Sequence, residues 1–147
     1  MPWLFSYGSN HPAQLMERIG APRSIAPAVA MEHKRVFRGY SRTWGGGVAS
    51  LVASKSRPAY GYVAQVTESQ LREMDLYEGV GIGAYARRKI KVTKLDTASG
   101  KPSDIEAIAY IASNRDFNPP SRKYLEAVLK TIGTFWKVGS VSDIKVE

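Results

Sequence analysis

Ala59-Tyr60-Gly61-Tyr62-Val63-Ala64-Gln65-Val66 runs without a break into Thr67-Glu68-Ser69-Gln70-Leu71-Arg72-Glu73-Met74, and the two halves keep different periods. In the first, Tyr60, Tyr62, Ala64 and Val66 alternate with Ala59, Gly61, Val63 and Gln65, the period of an extended strand buried on at least one face. In the second, Thr67-Glu68-Ser69-Gln70 has the capping-box form of a helix start, and Leu71 and Met74 begin an apolar stripe that ends before Gly79. A strand feeding directly into a helix places the chain in a mixed class.

The flanks agree. Upstream, Trp3-Leu4-Phe5-Ser6-Tyr7 reads as a strand that stops at Gly8-Ser9-Asn10, and Pro12, Leu15, Met16 and Ile19 predict a short helix up to Gly20. Ala28 to Phe37 predicts one strand, and Trp44-Gly45-Gly46-Gly47 a flexible connection into another over 48–54. Downstream, Gly79, Gly81 and Gly83 interrupt regular structure, and strands follow over 85–95 and 105–113, joined by the turn-rich segment from Asp96 to Lys101. Asn118-Pro119-Pro120 leads stiffly into a last helix capped by Ser121, with Tyr124, Leu125, Val128, Leu129 and Ile132 on its apolar side. About six strands and three helices, with no repeat and no long linker, predict one α+β domain over residues 1–147, built on a mixed, mostly antiparallel, barrel-like sheet.

Composition narrows the chemistry. The 147 residues include no Cys and two His, His11 and His33, which excludes disulfide frameworks, Cys-ligated zinc, iron–sulfur centres and thiol nucleophiles, and argues against a His-based triad or metal site. The net charge is +8 and is unevenly spread: residues 61–86 carry 1 basic and 4 acidic groups, an acidic island between two basic flanks. Such a balance favours an anionic partner. No targeting segment and no apolar run of membrane-spanning length is visible, so a soluble, cytoplasmic protein is expected.

Three features carry potential chemistry. Glu78 lies seven residues after Leu71, only about 20° away around a helix, and so shares the apolar stripe. A carboxylate there is paired, metal-bound or raised in pKa by desolvation, unless the fraying helix end lets it reach water; the negative end of the helix dipole adds to the rise. Tyr7-Gly8-Ser9-Asn10 forms a turn between strand and helix, where Gly8 permits dihedrals that turn successive backbone N–H groups toward an anion. Finally, Lys34, Arg35, Arg38, Arg42 and the run Arg87-Arg88-Lys89-Ile90-Lys91 make a basic surface. In a strand, Arg87, Lys89 and Lys91 share one face; without interleaved aromatics or a nucleic-acid signature, a solvated outer face is the better reading. Gly79-Val80-Gly81-Ile82-Gly83 follows a helix and lacks the dinucleotide-loop spacing, and no phosphate-binding P-loop is present.

Taken in order, Tyr7-Gly8-Ser9-Asn10, Trp44-Gly45-Gly46-Gly47-Val48-Ala49, Met74-Asp75-Leu76-Tyr77-Glu78-Gly79-Val80 with Gly83-Ala84-Tyr85, and Asn118-Pro119-Pro120-Ser121 with Tyr124 resemble the γ-glutamylcyclotransferase family of AIG2-like proteins. The resemblance spans nearly the whole chain. It implies a small mixed barrel-like domain and an enzyme without metal or organic cofactor. It also implies a product, 5-oxoproline, cyclised from the γ-glutamyl group of an amino acid or peptide. Position by position, Glu78 matches the catalytic glutamate, Tyr7, Gly8, Ser9 and Asn10 the loop that binds the γ-glutamyl moiety, and Tyr85 and Tyr124 pocket-lining tyrosines. His11 after the loop and Met74 before Asp75 depart from the usual leucines.

Two rivals stand beside this reading. Within the enzyme class, the substrate is a γ-glutamyl amine or cross-link instead of a γ-glutamyl amino acid. Outside it, the chain is a basic anion- or nucleic-acid-binding module, against which stands a carboxylate placed beside the anion-binding turn. The expected partner is a small γ-glutamyl molecule, with the chain a monomer or homodimer.

Overall fold

The computed structural model describes residues 1–146. The elements in order are β1 (Trp3–Ser6), α1 (Pro12–Ile19), β2 (Ser24–Ala30), β3 (His33–Ser41), β4 (Gly46–Ala53), β5 (Ala59–Gln65), α2 (Glu68–Tyr77), a single 3-10 turn (Val80–Ile82), β6 (Tyr85–Leu95), β7 (Pro102–Ala112), α3 (Arg122–Gly133) and a second 3-10 turn (Val141–Asp143). The predicted α+β class holds. Five strands close a barrel in the order β1-β5-β2-β6-β7, while β3 and β4 form a separate two-stranded sheet.

Closure follows from parity. Every pair from β1 round to β7 is antiparallel, so four reversals leave β7 running with β1, and the barrel is sealed by a parallel pairing at Leu4 and Ile108. β5 is central, pairing with both β1 and β2, and its alternation is accordingly buried on both faces: Ala59, Gly61, Tyr62, Val63 and Ala64 are all buried. Two apolar clusters result. One fills the space between the barrel, the second sheet and α3, around Phe5, Phe37, Leu51, Val63, Val92 and Val128; the other lies under α1 and α2, around Leu4, Leu15, Tyr62, Leu71 and Met74.

The helices begin as their sequences dictate. Pro12 occupies the first turn of α1, where its missing N–H costs nothing. The Thr67 hydroxyl accepts the Gln70 N–H at 3.0 Å and the Gln70 side chain accepts the Thr67 N–H at 2.9 Å, completing the capping box of α2. The Ser121 hydroxyl accepts the Tyr124 N–H at 3.2 Å to start α3.

Two expectations are corrected. The strand predicted over 28–37 is two strands, β2 and β3, broken at the exposed pair Met31-Glu32, so there are seven strands where about six were expected. No Gly or Pro marks the break, and the apolar residues on both sides are core, which makes the pattern look continuous. The glycines after Trp44 are not all flexible linker: Gly46 and Gly47 belong to β4 and are buried. The backbone of Asn118-Pro119 lies directly on them, with the Gly47 N–H donating to the Pro119 carbonyl at 3.1 Å, and a Cβ on Gly47 would fall 2.1 Å from the Asn118 carbonyl oxygen. Glycine serves here as space for a second chain segment, not as a hinge.

Candidate active site

A cavity of about 420 Å³ opens where three elements meet: the turn that follows β1, the C-terminal end of α2, and the β3–β4 sheet. Its lining includes every residue singled out from the sequence as a site candidate, namely Tyr7, Gly8, Ser9, Asn10, Glu78, Tyr85 and Tyr124.

Glu78 caps the C-terminus of α2, with its N–H donating to the Met74 carbonyl at 2.9 Å. The helical period therefore carries its side chain toward the stripe of Leu71 and Met74, as the sequence suggested, but one turn beyond the packed core and facing the cavity. Desolvation pushes its carboxyl up to about 7, and the positive charge of Arg18 holds back part of that rise. No cation of the described residues makes an ion pair with it, which removes the paired alternative for Glu78.

The turn facing it is built for donors. None of the backbone N–H groups of Gly8, Ser9 and Asn10 donates to an acceptor among the described residues. The Asn10 Oδ1 is buried without a hydrogen-bond partner among them. The turn is fixed from behind: the Tyr62 hydroxyl donates to the Asn10 carbonyl at 2.6 Å and the Arg35 guanidinium to the Tyr7 carbonyl at 2.7 Å. Gly8 is not there for the special dihedrals that the sequence suggested. Gly8 does not have a positive φ; it is required for room, since a Cβ would stand 3.3 Å from both the Ala49 Cβ and the Tyr124 hydroxyl.

The tyrosines act as braces as well as lining. The Tyr7 hydroxyl donates to the carbonyl of Tyr110 on β7, the strand that seals the barrel against β1. On Ala49 of β4, the N–H donates to the Tyr124 hydroxyl at 2.8 Å and the carbonyl accepts from the Tyr85 hydroxyl at 3.2 Å. Burial pushes Tyr124 up to about 12 and raises Tyr7 and Tyr85 as well, with the negative charge of Glu78 adding to each, so all three hydroxyls are neutral at physiological pH.

Behind Glu78, Asp75 receives two hydrogen bonds from Arg87, at 2.8 and 2.6 Å, and one from the Tyr110 hydroxyl at 2.6 Å. The Arg87 hydrogen bonds and charge hold the Asp75 carboxyl below the usual range, against a desolvation that works the other way. Arg87 also meets Glu68 at 3.2 Å, Lys89 meets Glu106 at 3.9 Å and Lys91 meets Glu32 at 3.5 Å. The basic face of β6 is thus spent on carboxylates of the same chain, and Arg87 fastens α2 to the barrel. Sequence reasoning missed Arg18 and the role of Arg35 and Arg87; no local signal marks an arginine whose partner lies on another element. Among the described residues, no group of three His, Cys, Asp or Glu is placed to hold a metal, and no helix is long and apolar enough to cross a membrane.

A family model described as γ-glutamyl cyclotransferase, AIG2-like, matches residues 4–127. The chain belongs to this family. The γ-glutamylcyclotransferases of human and mouse are 30% and 32% identical over 132 residues, which is 84% of this chain and 66% of theirs, so the chain spans just under two thirds of those relatives. A solved γ-glutamyl cyclotransferase superposes with a TM-score of 0.76 at 27% identity, covering 89% of this chain and 79% of its own. A glutathione-specific γ-glutamyl cyclotransferase from yeast, 14% identical, shares the fold with a TM-score of 0.64 over 93% of this chain and 89% of its own. The members carrying the family name are enzymes, and the cavity described above lies wholly within the matched span.

Proposed function

We propose that this chain cyclises the γ-glutamyl group of a γ-glutamyl amide to 5-oxoproline and releases the amine, with Glu78 as the general acid and base. The observation that carries this reading is the pairing, in one cavity, of a desolvated carboxylate with a turn whose backbone N–H groups have no acceptor among the described residues.

The reaction needs both. The α-amine of the substrate is protonated in water and cannot attack until it loses that proton. Glu78, with a pKa near neutrality, takes it. The freed nitrogen attacks the γ-carbonyl carbon of the same molecule, a C–N bond forms to close the five-membered lactam, and the carbonyl oxygen becomes an oxyanion. Collapse of the oxyanion breaks the original C–N bond, the proton held by Glu78 passes to the departing nitrogen, and the ionised Glu78 then takes the surplus proton from the ring nitrogen and hands it to the released amine, leaving a neutral lactam and an ammonium. The N–H groups of Gly8, Ser9 and Asn10 are assigned to the substrate's α-carboxylate or to the developing oxyanion, where one preorganised donor is worth roughly 10²–10³ in rate. Ring closure also demands a folded substrate, which a confined cavity supplies by orientation.

The test is formation of 5-oxoproline from a panel containing a γ-glutamyl dipeptide, glutathione and a γ-glutamyl amine, with Glu78→Gln in parallel. The substitution keeps volume and hydrogen-bonding shape and removes the base. Turnover of at least one substrate that is lost in the variant is expected; sustained turnover by Glu78→Gln overturns the assignment.

A further inference from the structure

We propose that Arg38 selects the leaving group, binding a free carboxylate on the amine that departs, so that γ-glutamyl amino acids and peptides are preferred over γ-glutamyl amines. The inference rests on the cyclotransferase reading of the same cavity and assigns it a residue and a selectivity.

The cavity lining contains two cations, Arg18 and Arg38, and one carboxylate, Glu78. A simple γ-glutamyl alkylamine brings one carboxylate; a γ-glutamyl amino acid brings two. Both arginines lack an ion-pair partner among the described residues, so each presents an unneutralised charge to whatever fills the space. An unmatched cation facing a bound apolar amine loses hydration without compensation, whereas a second carboxylate restores it.

The two arginines stand on different walls. Arg18 projects from α1, its guanidinium carbon 4.9 Å from the centre of the Tyr77 ring, and it is the cation whose field reaches Glu78. Because Glu78 must meet the substrate's α-amine, Arg18 is on the side of that same α-carbon and its carboxylate. Arg38 belongs to β3, in the sheet outside the barrel. Its side of the cavity is left for the other end of the substrate, beyond the scissile bond.

Arg38 is also held ready. Its backbone pairs with Val48 of β4 and bridges to Phe117 on the other side, and the next residue, Gly39, donates its N–H to the Asp116 carbonyl at 3.0 Å. Directly after it the β3–β4 register slips by one residue, a bulge of the kind that re-aims side chains at the edge of a site. One guanidinium N–H group, on Nη1, is spent on the carbonyl of Phe37 at 3.1 Å. The remaining donors meet no acceptor among the described residues, and a planar guanidinium offers the two-pronged geometry that a carboxylate takes up.

The experiment compares γ-L-glutamyl-L-alanine with γ-L-glutamylethylamide, which differ by the leaving-group carboxylate alone. The wild-type chain is expected to favour the alanine compound in kcat/KM by tenfold or more. In Arg38→Gln that preference falls by roughly ten- to a hundredfold, with the loss mostly in KM for γ-glutamylalanine. Arg38→Lys keeps the charge without the fork and retains an intermediate preference, which also carries the test if Arg38→Gln does not fold. A purely structural role for Arg38 would lower both substrates alike and leave the ratio unmoved. An unchanged ratio in both variants, or a wild type indifferent to the carboxylate, overturns the proposal. Failure of the wild type to turn over these two compounds and glutathione alike overturns the cyclotransferase reading beneath it.

Discussion

The cavity has two walls of different construction. The barrel wall, formed by the turn after β1 and the end of α2, offers mainly backbone N–H groups and one carboxylate, set in short contiguous motifs. The β3–β4 wall offers side chains, with Arg38 and Val48 on a sheet that the barrel does not include and Trp44 in the turn that joins its strands. Backbone donors bind what every substrate shares, while side chains spaced along a strand can change one at a time without disturbing a turn. Under the proposed function, the contrast assigns reactivity to the first wall and selectivity to the second.

The largest expected effect tests the first half of that division. Glu78→Gln should lower kcat/KM for every γ-glutamyl substrate by about 10²–10⁴ with its preference among them intact, as measured by 5-oxoproline release. A variant that changed its ranking of substrates would show that reactivity and selectivity share one wall.

Next comes the fastening of the barrel wall. Arg87→Ala leaves Asp75 with one hydrogen-bond donor in place of three and should cost about 2 kcal/mol in urea unfolding. Arg87 and Asp75 keep side-chain exposures of 27% and 23%, which holds the figure below that of a fully buried pair. The Asp75 pKa is depressed in the folded chain, so this contribution is present above the ordinary carboxylate range and fades as the pH falls below it.

The seam between the walls gives a smaller effect. Tyr124→Phe removes the acceptor of the Ala49 N–H and leaves that group buried and unpaired, at a cost of about 1–2 kcal/mol in the same assay. If the walls are as separate as described, the loss should appear in stability and in KM before kcat.

The smallest effect concerns pH. Folded Glu78 keeps its proton up to about pH 7, whereas the ordinary value is 4.5, so between these limits the folded state binds more protons and stability falls as pH rises. Glu78→Gln should therefore be more stable than wild type by about 1 kcal/mol at pH 8 and gain nothing at pH 4, a difference of a few degrees in Tm. In the wild type, kcat/KM should climb through the same region as the base loses its proton.

The two walls also differ in how far the amino-acid sequence discloses them. Period and capping at Thr67-Glu68-Ser69-Gln70 placed α2 and left Glu78 on the apolar stripe, because those signals are local and repeat within one or two turns. Tyr7-Gly8-Ser9-Asn10 was legible as a donor turn, although the reason for Gly8 was not, since the neighbours that crowd it are 41 and 116 residues away along the chain. The break at Met31-Glu32 was invisible because both flanking strands are buried and no turn residue intervenes. Gly46 and Gly47 looked like a linker because the segment packed on them, Asn118-Pro119, is distant in sequence. For Arg35, Arg38 and Arg87 the pattern gave only a charge. What each guanidinium does depends on which strand lies opposite, and that is a property of register.

The parallel seam between β1 and β7 adds a matter of time. The Tyr7-Gly8-Ser9-Asn10 turn is attached to β1, and one of the two neighbours of β1 pairs with it at Ile108, more than a hundred residues later. Loop closure over that span is entropically slow, and folding dominated by such contacts runs in roughly milliseconds to seconds. A nascent chain that has emerged only to the end of β6 already contains the whole turn and Glu78 yet has no sealed barrel to hold them face to face. On the proposed function, the barrel wall of the site is complete only when β7 arrives.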